Sequence, residues 1–235
     1  MNKIFFLNFL FLEFLIITFF FGCSKKKNVN LARTYYKLSL LDLSSEDKLG
    51  KAPSQNSYKK ALCNIEKAIE QEARAEYLAI KGTILFKLNK EEEGYEFFQK
   101  ALHVKSDPQI KTEILNNKAC LLAQLGMKSN QDEKIEKALQ IWLDLQDNKD
   151  YLTPEVAFFN QSKVCFYKKE FEKAKENLVE AVSLEPDYLD AHYYLSFIAY
   201  NLNDFNLAKD HIETVLLLEP THKGAQQLKF LLQKQ

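Results

Sequence analysis

Four histidines and four cysteines are the side chains of this 235-residue sequence best suited to metal binding or nucleophilic chemistry. His103, His192, His211 and His222 form no H-E-x-x-H and no pair at helical spacing, and Cys23, Cys63, Cys120 and Cys165 form no C-x-x-C. Their spacing therefore spells neither a zinc centre nor a dithiol redox pair. Six glycines, no two closer than twelve residues, exclude the Gly-rich phosphate cradles, and no serine stands in G-x-S-x-G. The expectation is a chain with no catalytic residues, no metal and no cofactor; an enzyme would need a constellation assembled in space that the spacing does not announce. Lys plus Arg and Asp plus Glu both number 32, so no net field draws the molecule to nucleic acid, and no small-molecule substrate is expected. The 46% hydrophobic content suffices for a real core.

Chemistry of another kind is suggested at Cys23. Met1 to Gly22 carries Lys3 and then a run of Phe, Leu and Ile holding eight of the chain's eighteen phenylalanines. It ends in Phe20-Phe21-Gly22-Cys23-Ser24 before Lys25-Lys26-Lys27. This resembles a bacterial lipoprotein signal, although Phe20 stands where Leu is common and Phe21 where a small residue is expected. The resemblance implies removal of residues 1–22, lipidation of Cys23 and a tether over residues 23–30, with the lysines held near anionic headgroups. It places the protein in a cell envelope; Ser24, where an Asp would retain some lipoproteins at the inner membrane, leans toward the outer one. The rival is an uncleaved transmembrane anchor carrying a cytoplasm-facing adaptor. Glu13 opposes it, since a carboxylate near mid-bilayer costs roughly 3 kcal/mol.

The elements that follow repeat. A small residue with apolar residues four, seven and eight places later occurs as Ala61, Ile65, Ala68, Ile69; as Gly94, Phe98, Ala101, Leu102; as Ala174, Leu178, Ala181, Val182; and as Ala208, Ile212, Val215, Leu216. Ala138, Trp142 and Leu145 make a fifth set that ends in Gln146. Each set is one face of a helix. The intervals between lead residues are 33, 44, 36 and 34, and four of the five prolines fall between the units.

Glu155 to Pro186 and Asp187 to Pro220 resemble tetratricopeptide repeats, each a pair of antiparallel helices, and the segment around Gly82 is similar. The small residue, best seen at Ala174 and Ala208, lets the second helix approach the first, where Gly82 or Ser196 with Ala199 would meet it. A third unit has about seven extra residues around Met127 to Glu133, read as a longer turn, and the first has a divergent opening helix (31–43) and a polar insertion (44–57). The resemblance implies an all-α, right-handed α-solenoid of about five repeats over residues 31–222. Residues 223–235 would form a capping helix with Leu228, Leu231 and Leu232 on its buried side.

Such repeats imply a protein or peptide partner held on a concave face built from the first helices. The residues expected there are Phe159, Asn160, Lys163, Phe166 and Tyr167 in one unit and Tyr193, Tyr194, Phe197, Tyr200 and Asn201 in the next. The rings would bury large area with few torsions to freeze, as an apolar or helical peptide needs; the alternative is that many of them pack against a neighbouring repeat. Asn117, Asn160 and Lys163 match only part of a carboxylate clamp, and Asp190 and Tyr194 stand where its remaining basic residues belong, so a clamp is not expected. Cys63, Cys120 and Cys165 fall in predicted helices, where cysteine serves as a small buried hydrophobe. In layout, a lipoprotein signal joined to these repeats is similar to pilotin-like lipoproteins of type IV pilus biogenesis and to the repeat lipoprotein of outer-membrane β-barrel assembly. Both suggest a membrane-anchored scaffold that assembles or stabilises an envelope complex.

Overall fold

The computed structural model describes residues 27–44 and 53–234; Cys23 and the whole of residues 1–22 lie outside them. Eleven helices follow one another among the described residues: α1 (Val29–Ser44), α2 (Gln55–Gln71), α3 (Ala75–Lys87), α4 (Glu91–His103), α5 (Pro108–Ser129), α6 (Asp132–Gln146), α7 (Pro154–Tyr167), α8 (Phe171–Leu184), α9 (Leu189–Asn201), α10 (Phe205–Leu218) and α11 (Lys223–Leu232). None is long and apolar enough to cross a membrane. The odd and even helices pair as five antiparallel hairpins, each packed on the next, with α11 closing the row. This is an all-α solenoid of tetratricopeptide repeats.

Local chemistry sets the helix ends. Ser54, Asp107, Asp204 and His222 each accept a hydrogen bond from a backbone N–H of the helix they precede. Pro108 and Pro154 take first-turn positions, where no N–H is needed. Inside four hairpins the first helix stops in the same way. Asn89, Asn130, Lys169 and Asn203 adopt left-handed backbone (φ 52° to 62°), and the next residue donates its N–H to a carbonyl five positions back. That is a Schellman closure without glycine.

Each second helix buries one stripe. The lead residue and those four and seven places on are buried in all five hairpins, while the residue eight places on is half-covered at the margin. The small leads meet small residues of the first helix: Ser39, Gly82, Ala119, Ser162 and Ser196 are all buried. Ser39 donates its hydroxyl proton to the Ala61 carbonyl at 3.0 Å. A Cβ built on Gly94 would stand 2.9 Å from the Gly82 carbonyl oxygen, so two backbones touch where the second hairpin crosses.

The expected long turn at Met127 to Glu133 is instead helix. α5 runs for 22 residues against 13 in α3, only Asn130 and Gln131 intervene before α6, and Gly126 gives room for Ile135 at the narrowed end. Small partners lie twelve positions apart in the second, fourth and fifth hairpins and nineteen apart in the third. The extra seven amount to about two helical turns, so they lengthen both helices without rotating their buried faces. Two smaller expectations also change. Leu231 is 45% exposed while Leu228 and Leu232 are buried, because the cap is covered from one side by α10. Cys63 is exposed on α2, Cys120 half-buried and Cys165 buried, so only the last behaves as a fully buried hydrophobe.

Candidate partner-binding face

Successive first helices approach one another more closely than successive second helices do: α3 touches α5, α5 touches α7, and α9 touches α11. The first helices therefore form the inner side of the curve, and their outward residues line its floor. The two halves of that floor differ.

In the C-terminal half Phe159 is buried, its ring edge-on to Tyr194 (5.3 Å between centroids) and tilted against Tyr188 (5.1 Å). The Lys163 ammonium lies over the Phe159 ring at 4.6 Å. No carboxylate among the described residues comes within 4.0 Å of it. Burial pulls the proton affinity of Lys163 down, with Cys120 and Asp190 pulling the other way. Burial, with Asp190 and Glu155 adding to it, pushes the Tyr188 hydroxyl up to about 12. Asn160 is buried and donates to the Asn116 side-chain oxygen at 3.4 Å, an oxygen that also accepts from the Trp142 indole N–H at 3.0 Å. Asn160 thus joins α7 to the third hairpin and does not face the groove.

The remaining expected site residues divide similarly. Tyr193 lies over Gly224 and packs on the His222 ring at 4.6 Å, so it seats the cap helix. Tyr200 packs on Phe205 and Phe166 on Phe171, each sealing the turn of its own hairpin. Phe166 also reaches Phe197 at 5.8 Å, linking α7 to α9. Tyr167 is 42% exposed, and its hydroxyl donates to the Met127 carbonyl at 3.1 Å, an acceptor supplied by the extra turn of α5. Phe197 (38% exposed) and Asn201 are open to solvent, although the Asn201 amide is tied back to the Phe197 carbonyl. Tyr167, Phe197 and Asn201 are the exposed members of this half, and Lys163 and Tyr194 are half-buried.

The N-terminal half holds a feature the sequence reading missed. A cavity of about 350 Å³ opens between α1, α3 and α5, with Tyr36, Ile80, Ile110 and Ile114 among its walls and the exposed Leu152 at its mouth. Glu76, Glu113 and Asp150 also line it. These residues come from three hairpins and a connecting turn, so no local motif could have joined them.

One further pair assembles only in space. His192 is buried, and its Nδ1 lies 2.8 Å from Nδ1 of His211 while its Nε2 contacts the Pro186 carbonyl at 2.8 Å. Among the described residues no group of three or more His, Cys, Asp or Glu side chains is placed to hold a metal ion.

Comparison with known proteins agrees with this architecture. The sequence profile of the tetratricopeptide repeat matches residues 75–108 and 156–188, the second and fourth hairpins. No curated protein sequence matches the chain. Among solved structures, PilF of Pseudomonas aeruginosa is similar over 87% of this chain and 84% of its own, with 18% identity and a TM-score of 0.68. PilW, described as a widely conserved type IV pilus biogenesis factor, is similar over 87% and 85%, with 16% identity and a TM-score of 0.67. YrrB, a repeat protein described as having an unusual peptide-binding site, is similar over 88% and 94%, with 18% identity and a TM-score of 0.51. At these identities the likeness is one of fold.

Proposed function

We propose that this chain is a lipid-anchored scaffold of a bacterial cell envelope, tethered through Cys23, that binds a partner protein on the inner face of its solenoid and helps assemble or hold an envelope complex. The observation that carries the binding half is the surface around Lys163. A cation is kept there against its desolvation cost over the Phe159 ring, with no carboxylate within ion-pair distance among the described residues, and the half-buried Tyr194 and exposed Phe197 stand on the next first helix. A folded core gains little from a lysine without an ion pair, whereas an arriving segment offering a carbonyl or a carboxylate side chain would satisfy it. Phe159 then positions Lys163, and Phe197 supplies exposed apolar area. The anchor half rests on the Phe-rich segment ending in Gly22-Cys23, and the likeness in fold to PilF and PilW suits an envelope role.

Two measurements test the two halves. Intact mass of protein purified from its own membrane should show loss of residues 1–22 plus an acyl-sized gain, and Cys23→Ala should abolish that gain. An unprocessed mass in both would make the uncleaved, cytoplasm-facing adaptor the better reading. A photocrosslinking amino acid at Phe197 should capture a discrete partner in intact cells, and the same residue at Glu180, exposed on α8, should not. Equal capture at both positions would remove the inner face as the binding surface.

A further inference from the structure

The cavity between α1, α3 and α5 is electrostatically unlike the four others described among these residues. Its lining includes Glu76, Glu113 and Asp150 and no lysine or arginine. Each of the four other described cavities is lined by at least one lysine, in most cases beside a glutamate that offsets it. In a chain with equal numbers of acidic and basic residues, such a local excess is a directed field.

The three carboxylates are weakly compensated. Glu76 has the Arg74 guanidinium at 3.4 Å, both side chains being partly exposed. Glu113 receives a long hydrogen bond from the Thr153 hydroxyl at 3.4 Å. Asp150 engages through its backbone, its N–H donating to Asn148 and its carbonyl accepting from Thr112, and neither Glu113 nor Asp150 has an ion pair among the described residues. Beneath them the walls are apolar. Tyr36 is fixed by stacking on Tyr77 at 4.7 Å, Ile80 and Ile110 flank it, and Leu152 stands 64% exposed at the mouth with nothing covering it. Low-dielectric walls below a rim of one sign strengthen the attraction of the opposite sign, and an exposed leucine beside them offers area for burial.

We propose that this cavity receives a segment of the partner protein in which an apolar side chain is followed closely by lysine or arginine, the apolar group entering between Ile80 and Ile110 and the cation lying between Glu113 and Asp150. The proposal rests on the inner face being the partner surface and adds the chemistry that the N-terminal half of that face selects. A partner's terminal carboxylate is repelled here, so the segment is internal to its chain or ends in a basic side chain well away from the rim.

The test uses the full chain solubilised in a zwitterionic detergent and a fluorescein-labelled probe peptide, Gly-Ser-Ala-Leu-Lys-Ala-Leu-Lys-Gly-Ser, read by fluorescence anisotropy. Its counterpart with Glu for both Lys serves as control. The Lys peptide should bind and the Glu peptide should not. The charge-removing double variant Glu113→Gln/Asp150→Asn, which keeps both side-chain shapes, should weaken binding about tenfold and flatten its salt dependence. Glu180→Gln, which removes a carboxylate exposed on α8 away from the inner face, should leave it unchanged. Equal binding of the two peptides, or binding indifferent to the double variant, overturns the proposal. If the Lys peptide fails to bind while the crosslinker at Phe197 still captures its partner, this cavity is not the recognition site and the broader reading survives; failure of both removes both.

Discussion

The two imidazoles of the last hairpin can be assigned tautomers from their partners. The Pro186 carbonyl only accepts, so Nε2 of His192 carries hydrogen; in the neutral pair its Nδ1 then accepts, and Nδ1 of His211 must donate. Burial lowers the proton affinity of His211, the neighbouring His192 lowers it further, and Asp210 opposes both. The unfolded chain takes this proton near pH 6.5 and the folded one only at lower pH. Stability is therefore full above about pH 6.5 and falls as pH drops toward the folded value, below which it levels off. His211→Gln should remove up to about 1.4 kcal/mol per pH unit from that slope, as measured by urea midpoints at about pH 7.5 and pH 5.5; equal slopes would show that the folded ring titrates like an unfolded one. The pair was invisible in the sequence because its members stand nineteen positions apart, on two helices with a turn between them. Phe159 and Asn160 were misplaced toward solvent for a related reason. A first helix is covered on one side by its own partner and on another by the preceding second helix, so its apolar periodicity blurs and helix phase alone cannot say which side is open.

Second helices carry the legible signal because each has a single buried stripe. Their small, apolar, apolar spacing matched the buried positions in all five hairpins, whereas the long α5, polar at several inward positions, concealed where its extra residues lay. The turns also wrote themselves partly in the sequence: Asn occupies three of the four left-handed positions, as its side chain tolerates, and Lys169 the fourth. Helix crossings are harder to read, since a glycine in a helix can mark flexibility or contact. Here it marks contact. Gly94→Ala would gain up to about 1 kcal/mol of helix propensity but would drive a methyl into the Gly82 carbonyl, where only backbone could yield. The expected outcome is a net loss of about 1–2 kcal/mol by chemical denaturation, and a stabilised variant would mean that the two helices separate at no cost.

Across the whole molecule every hairpin contacts chiefly its neighbours, so stability is close to a sum of hairpin and joint contributions. Ion pairs bridge three consecutive joints: Glu66 with Lys81 at 2.7 Å, Glu91 with Lys128 at 2.7 Å, and Glu136 with Lys168 at 2.6 Å. The joints from α8 to α9 and from α10 to α11 have none among the described residues. Pairs of this kind, with one partner exposed and the other largely covered, each contribute about 1 kcal/mol or less, too little to decide the fold but enough to rank one joint above another. A load applied between the two chain ends passes through these joints in series, so all of them carry the same tension and the chain behaves as a row of unequal links. Pulled by optical tweezers, the protein should lengthen in successive steps of roughly one hairpin each, beginning in the C-terminal links that lack an ionic tie, and a single all-at-once rupture would contradict that order. A molecule built in this way acts as an extensible strap, lengthening by increments under strain while its N-terminal links still hold.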